Sequence, residues 1–125
     1  SSRTIMPTLR LEYTDNLKIQ NKLQLFFKII HAELVNLIKT DLDTCRSLVT
    51  AYSDYCVGNG SPENAFIQIT IHILPGRSEE LRKKLGAALF EKLNTYFHEE
   101  IARLKTQVRV YVQETDLAHY HGLPL

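Results

Sequence analysis

The 125-residue sequence predicts an α/β (α+β) fold in which a β-α-β unit occurs twice, giving one four-stranded mixed sheet with two helices on one face. Three observations carry this reading. Stretches of alternating polarity open and close the chain, two long stretches of helical periodicity lie inside it, and the densest group of chain breakers, Gly58-Asn59-Gly60-Ser61-Pro62, falls near the middle. The halves are then about 7–57 and 63–114, followed by a C-terminal tail, and 7–125 forms a single domain.

The first strand alternates Leu9, Leu11 and Tyr13 with Thr8, Arg10 and Glu12, the period of a sheet with one buried face. Thr14-Asp15-Asn16 supplies cap chemistry for a helix over 17–39, whose Leu23, Phe26, Phe27, Ile30, Leu34 and Ile38 make an apolar stripe. A loop at 41–44 leads to a weaker strand over 47–56, rich in Tyr and β-branched residues. After the breaker, 65–74 carries Ile67, Ile69, Ile71 and Ile73 and belongs at the centre of the sheet. Pro75-Gly76-Arg77 turns the chain, Ser78 caps the next helix, and Glu79-Glu80 complement its N-terminal dipole. That helix is expected to run to about 104 through Leu85, Leu89, Leu93, Phe97 and Ile101. Val108, Val110 and Val112 mark the last strand, and 117–125 reads as a tail or an interface arm.

Each β-α-β unit crosses over right-handedly into a parallel pair, and the two pairs join in one sheet backed by both helices. The second sheet face stays uncovered. With so much Ile, Val and Leu in the strands, that face is expected to be aliphatic and to be buried in a homo-oligomer.

Fifteen Lys and Arg against fourteen Asp and Glu leave a net charge of +1, so the chain has no bulk attraction for nucleic acid or an anionic membrane. No apolar run approaches the roughly 20 residues of a bilayer span, and no apolar leader opens the chain; a cytoplasmic protein is expected. Cys45 and Cys56 have no metal-ligand spacing and read as reduced, structural thiols. The five histidines form no compact metal spacing on one element.

Met6-Pro7 stands immediately before the first strand. Residues 1–6 read as tag residues and an initiator Met6, and removal of Met6 would free the Pro7 nitrogen as a secondary amine. As long as Met6 is attached, that nitrogen is an amide without usable basicity. Arg46, at the start of the second strand, and Arg77, in the turn after the third, are the other candidates. Two guanidinium groups near a terminal proline would lower its pKa by disfavouring the protonated amine, and could grip a dicarboxylate bidentately. Taken singly, each residue has a plainer account. A proline before a strand fixes φ, and a turn arginine is commonly solvated or paired with an acid such as Glu80.

Pro7-Thr8-Leu9-Arg10-Leu11-Glu12-Tyr13-Thr14-Asp15-Asn16, together with the strand from Ala65-Phe66 into Pro75-Gly76-Arg77-Ser78, resembles the tautomerase superfamily, specifically the 5-carboxymethyl-2-hydroxymuconate isomerase family. The resemblance runs from Pro7 to about Glu114. It implies a homotrimer of β-α-β-β-α-β subunits with a small-molecule dicarboxylate as substrate and no metal or organic cofactor. It assigns acid-base catalysis to Pro7, substrate-carboxylate binding to Arg77, and the family's second arginine to Arg46 in Arg46-Ser47. The implied reaction is a 1,3 or 1,5 keto-enol proton transfer on a 2-hydroxymuconate, in aromatic-compound breakdown. Alternatives are a tautomerase acting on a different 2-oxo acid and a non-catalytic oligomeric binding module of the same fold.

Overall fold

A computed structural model describes residues 6–123; the expected tag residues 1–5 lie outside them. Four strands, β1 (Thr8–Thr14), β2 (Arg46–Tyr52), β3 (Asn64–Ile73) and β4 (Lys105–Glu114), form one sheet in the order β2-β1-β3-β4. β1 pairs parallel with β2 and β3 parallel with β4, while β1 and β3 meet antiparallel at the centre. Each half is thus a closed β-α-β unit, and the junction between units makes the sheet mixed. The starts of β1 and β2 and the ends of β3 and β4 therefore gather at one end of the sheet.

Three helices, α1 (Leu23–Ile38), α2 (Glu79–Tyr96) and α3 (His98–Arg103), cover one face. Leu9, Leu11 and Tyr13 of β1 and the four isoleucines of β3 are buried beneath Phe26, Ile30 and Leu34 of α1 and Leu85, Leu89 and Leu93 of α2. Each such side chain, fully withdrawn from water, contributes about 1.5–3 kcal/mol of transfer free energy. No helix among the described residues is long and apolar enough to cross a membrane.

Three expectations change in detail. The first helix starts later than 17, with a 3-10 turn at Gln20–Lys22 preceding α1. Thr14 and Asn16 do not cap it. The Thr14 hydroxyl accepts from Phe66 N at 3.0 Å, and Asn16 Nδ2 donates to Asn64 O at 2.9 Å, so both side chains fasten the end of β1 to the strand that follows the breaker. The second helix breaks at Phe97, whose backbone leaves the helical region at φ −105, ψ 26. The Phe97 ring is fully buried, 4.9 Å from that of Phe26 and 5.0 Å from that of Tyr96, and this wedge sets α3 off from α2. Ser78 caps α2 as expected, its Oγ accepting from Leu81 N at 3.1 Å. Gly76, at φ 125, supplies the backbone conformation that turns the chain out of β3 toward that cap.

The uncovered face is not aliphatic. Ile67, Ile69, Ile71 and Ile73 all turn toward the helices, because alternation sends every second residue of β3 the same way. Arg10, Glu12, Gln68, Thr70 and Arg109 occupy the open face, with Leu48 (50% exposed), Phe66 and Tyr111 (48% exposed) among them. Any assembly across this face joins a mixed polar and aromatic surface, with Tyr52 Oη donating a short hydrogen bond to Glu12 Oε2.

Candidate active site

At the gathered end of the sheet, strand register aligns Arg46 of β2 with Thr8 of β1 and Thr8 with His72 of β3. Registered partners share a face, so these three side chains stand in a row on the open side of the sheet. They line a cleft of about 630 Å³. Asp43 and Thr44, from the short turn before β2, close one side of it, and Tyr120 and His121 of the tail close another.

Pro7 is buried between Met6 and Thr8, both of which line the cleft. Its carbonyl accepts from Arg46 N at 3.3 Å, which starts the β1–β2 ladder and fixes the proline at the mouth. Arg46 is tied a second time, its Nε donating to Thr8 Oγ1 at 2.8 Å. Among the described residues its guanidinium has no carboxylate partner within ion-pair distance, so the remaining donors and the charge are available to an anion. Met6 has a φ of 39, and Tyr120 Oη donates to its Sδ at 3.0 Å. The tail thus holds Met6 in place in front of the proline.

Arg77 is placed elsewhere. Its Nη2 donates to Ile38 O at 3.1 Å, satisfying a carbonyl at the C-terminal end of α1, where the helix dipole also favours a cation. It is not among the residues lining the cleft. The structure therefore brings Arg46 to Pro7 and leaves Arg77 on the helix end.

Two further features set the site's surroundings. His31 on α1 meets Ser47 Oγ at 2.8 Å beside the start of β2, and burial pushes its imidazole pKa below the usual 6.5. Cys45, next to Arg46, has its thiol pushed up by burial and by the nearby Asp41 carboxylate, which suits a structural thiol rather than a nucleophile.

The sequence assigns Thr8, His72 and Tyr120 no place in this site. Thr8 and His72 are polar positions of alternating strands, and only the register shows that they flank one another. Tyr120 sits in a stretch without periodicity, so nothing local tells that it folds back onto Met6.

Known structures share this architecture. A 5-carboxymethyl-2-hydroxymuconate isomerase from Deinococcus radiodurans R1 is 29% identical, with a TM-score of 0.87 over 95% of this chain and 90% of that chain. A 5-carboxymethyl-2-hydroxymuconate delta-isomerase superposes with a TM-score of 0.78 at 14% identity, covering 98% of this chain and 89% of that one. A fused 4-OT, solved as a symmetric trimer, has the same fold at 17% identity and a TM-score of 0.72, covering 94% and 92%. Comparison with curated proteins gives no match. The family model of 5-carboxymethyl-2-hydroxymuconate isomerase matches residues 7–121, from the proline at the mouth of the sheet to the histidine of the tail, and the chain belongs to that family.

Proposed function

We propose that this isomerase catalyses a cofactor-free keto-enol proton transfer on a 2-hydroxymuconate-type dicarboxylate, with the Pro7 nitrogen as base; the substrate that the family's name indicates, 5-carboxymethyl-2-hydroxymuconate, has the two muconate carboxylates and a third on its carboxymethyl group. The observation that carries the reading is Pro7, buried between two residues that line the cleft although it does not line the cleft itself, beside an arginine doubly anchored to the same segment, at the residue where the family match begins. A free α-amino group titrates near 8, and a secondary amine starts somewhat higher. Burial and the Arg46 charge both oppose protonation and lower that value toward neutrality.

Neutral Pro7 takes the proton of the 2-hydroxyl group. The O–H electron pair becomes the carbonyl π bond; the C2–C3 π pair either takes the proton from Pro7 at C3, leaving the C4–C5 double bond in place, or moves to C3–C4 while the C4–C5 pair takes the proton at C5, the 1,3 or 1,5 outcome. Atoms and oxidation level are unchanged. Arg46 holds the carboxylate next to the reacting oxygen and stabilises charge that develops there, a role for which its pinned Nε pre-organises it. The chemistry requires cleavage of the Met6–Pro7 bond, since an amide nitrogen accepts no proton at neutral pH. Arg77 joins a substrate site in this proposal only if trimer assembly draws it from Ile38. The proposed setting in aromatic-compound breakdown rests on the family alone, and the proposed cytoplasmic location on the sequence expectation.

The test is turnover of a panel of 2-hydroxydienoates, read by loss of dienol absorbance, using protein whose mass shows Pro7 as the first residue. Ketonisation that is lost in Pro7→Ala and weakened about 100-fold in Arg46→Gln is expected. No turnover of any member rejects the reading in favour of a non-catalytic binding module, and turnover indifferent to both changes rejects the roles given to Pro7 and Arg46.

A further inference from the structure

We infer that His72 is a second carboxylate-binding residue of the cleft, opposite Arg46, and that the pair selects dicarboxylates over monocarboxylates; this deepens the reading above and rests on it. Three observations converge. In the strand register His72 lies beside Thr8 on the side away from Arg46, so the two cation-forming side chains straddle Thr8 on one face. Two strand spacings separate their backbones by about 10 Å, a span suited to the two ends of an extended six-carbon diacid. Both line the same cleft, whereas Arg77 is engaged on Ile38 O.

The third observation concerns hydrogen bonding. Buried side-chain atoms without a partner, among the described residues, are Asn16 Oδ1, Arg82 Nε and His72 Nδ1. Of these three residues only His72 lines the cleft. His72 is half-buried, and a shielded ring nitrogen with no partner calls for an explanation. A carboxylate in the cleft provides one, because it can accept a hydrogen bond from a ring N–H.

The experiment compares trans,trans-muconate with sorbate, the same six-carbon diene carrying one carboxylate fewer, by equilibrium binding to the full chain, to His72→Gln and to His72→Arg. The full chain is expected to bind muconate about tenfold more tightly than sorbate, the worth of one charge-assisted contact. His72→Gln should bring the ratio close to one without changing sorbate affinity, and His72→Arg should restore it. A ratio unchanged in His72→Gln overturns the proposal, as does absence of binding by both compounds. Should His72→Gln fail to fold, the imidazole proton resonances of the unaltered chain decide instead: they must shift with muconate and stay put with sorbate, and equal responses refute the assignment. A His72-dependent preference in a protein that turns over no 2-hydroxydienoate removes the isomerase reading and keeps this site; turnover with a preference indifferent to His72 does the reverse.

Discussion

Thr8→Val isolates one contact of the candidate site. Valine keeps the shape and β-branching that the buried position requires and removes only Oγ1, the atom that holds Arg46 Nε at 2.8 Å. A hydrogen bond to a charged donor contributes about 1.5–3 kcal/mol net. Arg46 is itself exposed and water can replace part of the loss, so the lower end applies, about 1.5 kcal/mol or roughly tenfold. The arginine charge survives, and the defect should therefore be about a tenth of that in Arg46→Gln, which removes the charge as well. The assay is kcat/KM for ketonisation of 2-hydroxymuconate by protein beginning at Pro7, with urea unfolding as a control that global stability changes by less than about 1 kcal/mol. If Thr8→Val leaves kcat/KM unchanged while Arg46→Gln abolishes it, the anchoring of Nε has no catalytic value. If the two variants are equally damaged, Thr8 acts on the substrate directly and the positioning argument fails.

Other perturbations test the scaffold. Lys22 Nζ sits 3.0 and 3.2 Å from the two Glu100 carboxylate oxygens and over the rings of Tyr96 and Phe97. Burial alone pushes the Glu100 carboxyl up, but the Lys22 hydrogen bonds and charge outweigh it and hold the group below its usual 4.5. The native state thus resists this proton more than the unfolded chain does, and the stabilisation is complete above about pH 4.5 and lost as pH falls through the folded value. Glu100→Gln should cost about 1–2 kcal/mol at pH 7, between exposed and fully buried pairs, with the difference from the parent shrinking toward pH 2 in urea titrations. His31 carries a lowered pKa, so its unfolded form binds the proton more readily and stability should decline as pH drops below 6.5. His31→Gln should flatten that segment of the urea-midpoint profile; an unaltered profile would assign the slope to another group. Phe97→Ala empties the wedge between α2 and α3 and should cost about 3–5 kcal/mol in the same assay, and a loss under 1 kcal/mol would mean that the ring is not what shapes the break.

The fold was legible because its signals are local. Alternation in β1 and β4, the apolar run of β3, periodicity in α1 and α2, the Ser78 cap and the central breaker each depend on neighbours in sequence, and together they dictate two β-α-β units. The break at Phe97 was not legible, since the apolar spacing continues through it and only the packing of Phe26, Tyr96 and Phe97 interrupts the helix. The character of the open face was misjudged from composition. Counting the isoleucines of β3 gives an apolar strand, but they stand at every second position, which sends all four to one side. The candidate site shows the same division: Pro7 and Arg46 meet because both begin paired strands, while Arg77 follows a carbonyl at the end of α1 that no pattern in its own segment announces. Thr8, His72 and Tyr120 become visible only when register and the returning tail bring distant segments together.

The central claim is that the Pro7 nitrogen performs the proton transfer, and the most direct measurement is kcat/KM for one 2-hydroxymuconate substrate in two preparations that differ only at the Met6–Pro7 bond. Protein shown by mass to begin at Pro7 is expected to ketonise the substrate far above the uncatalysed rate, and the chain retaining Met6, whose side chain Tyr120 holds before the proline, should be slower by at least about 100-fold. Equal activity in the two preparations would contradict the account, because the nitrogen would then be dispensable as a base.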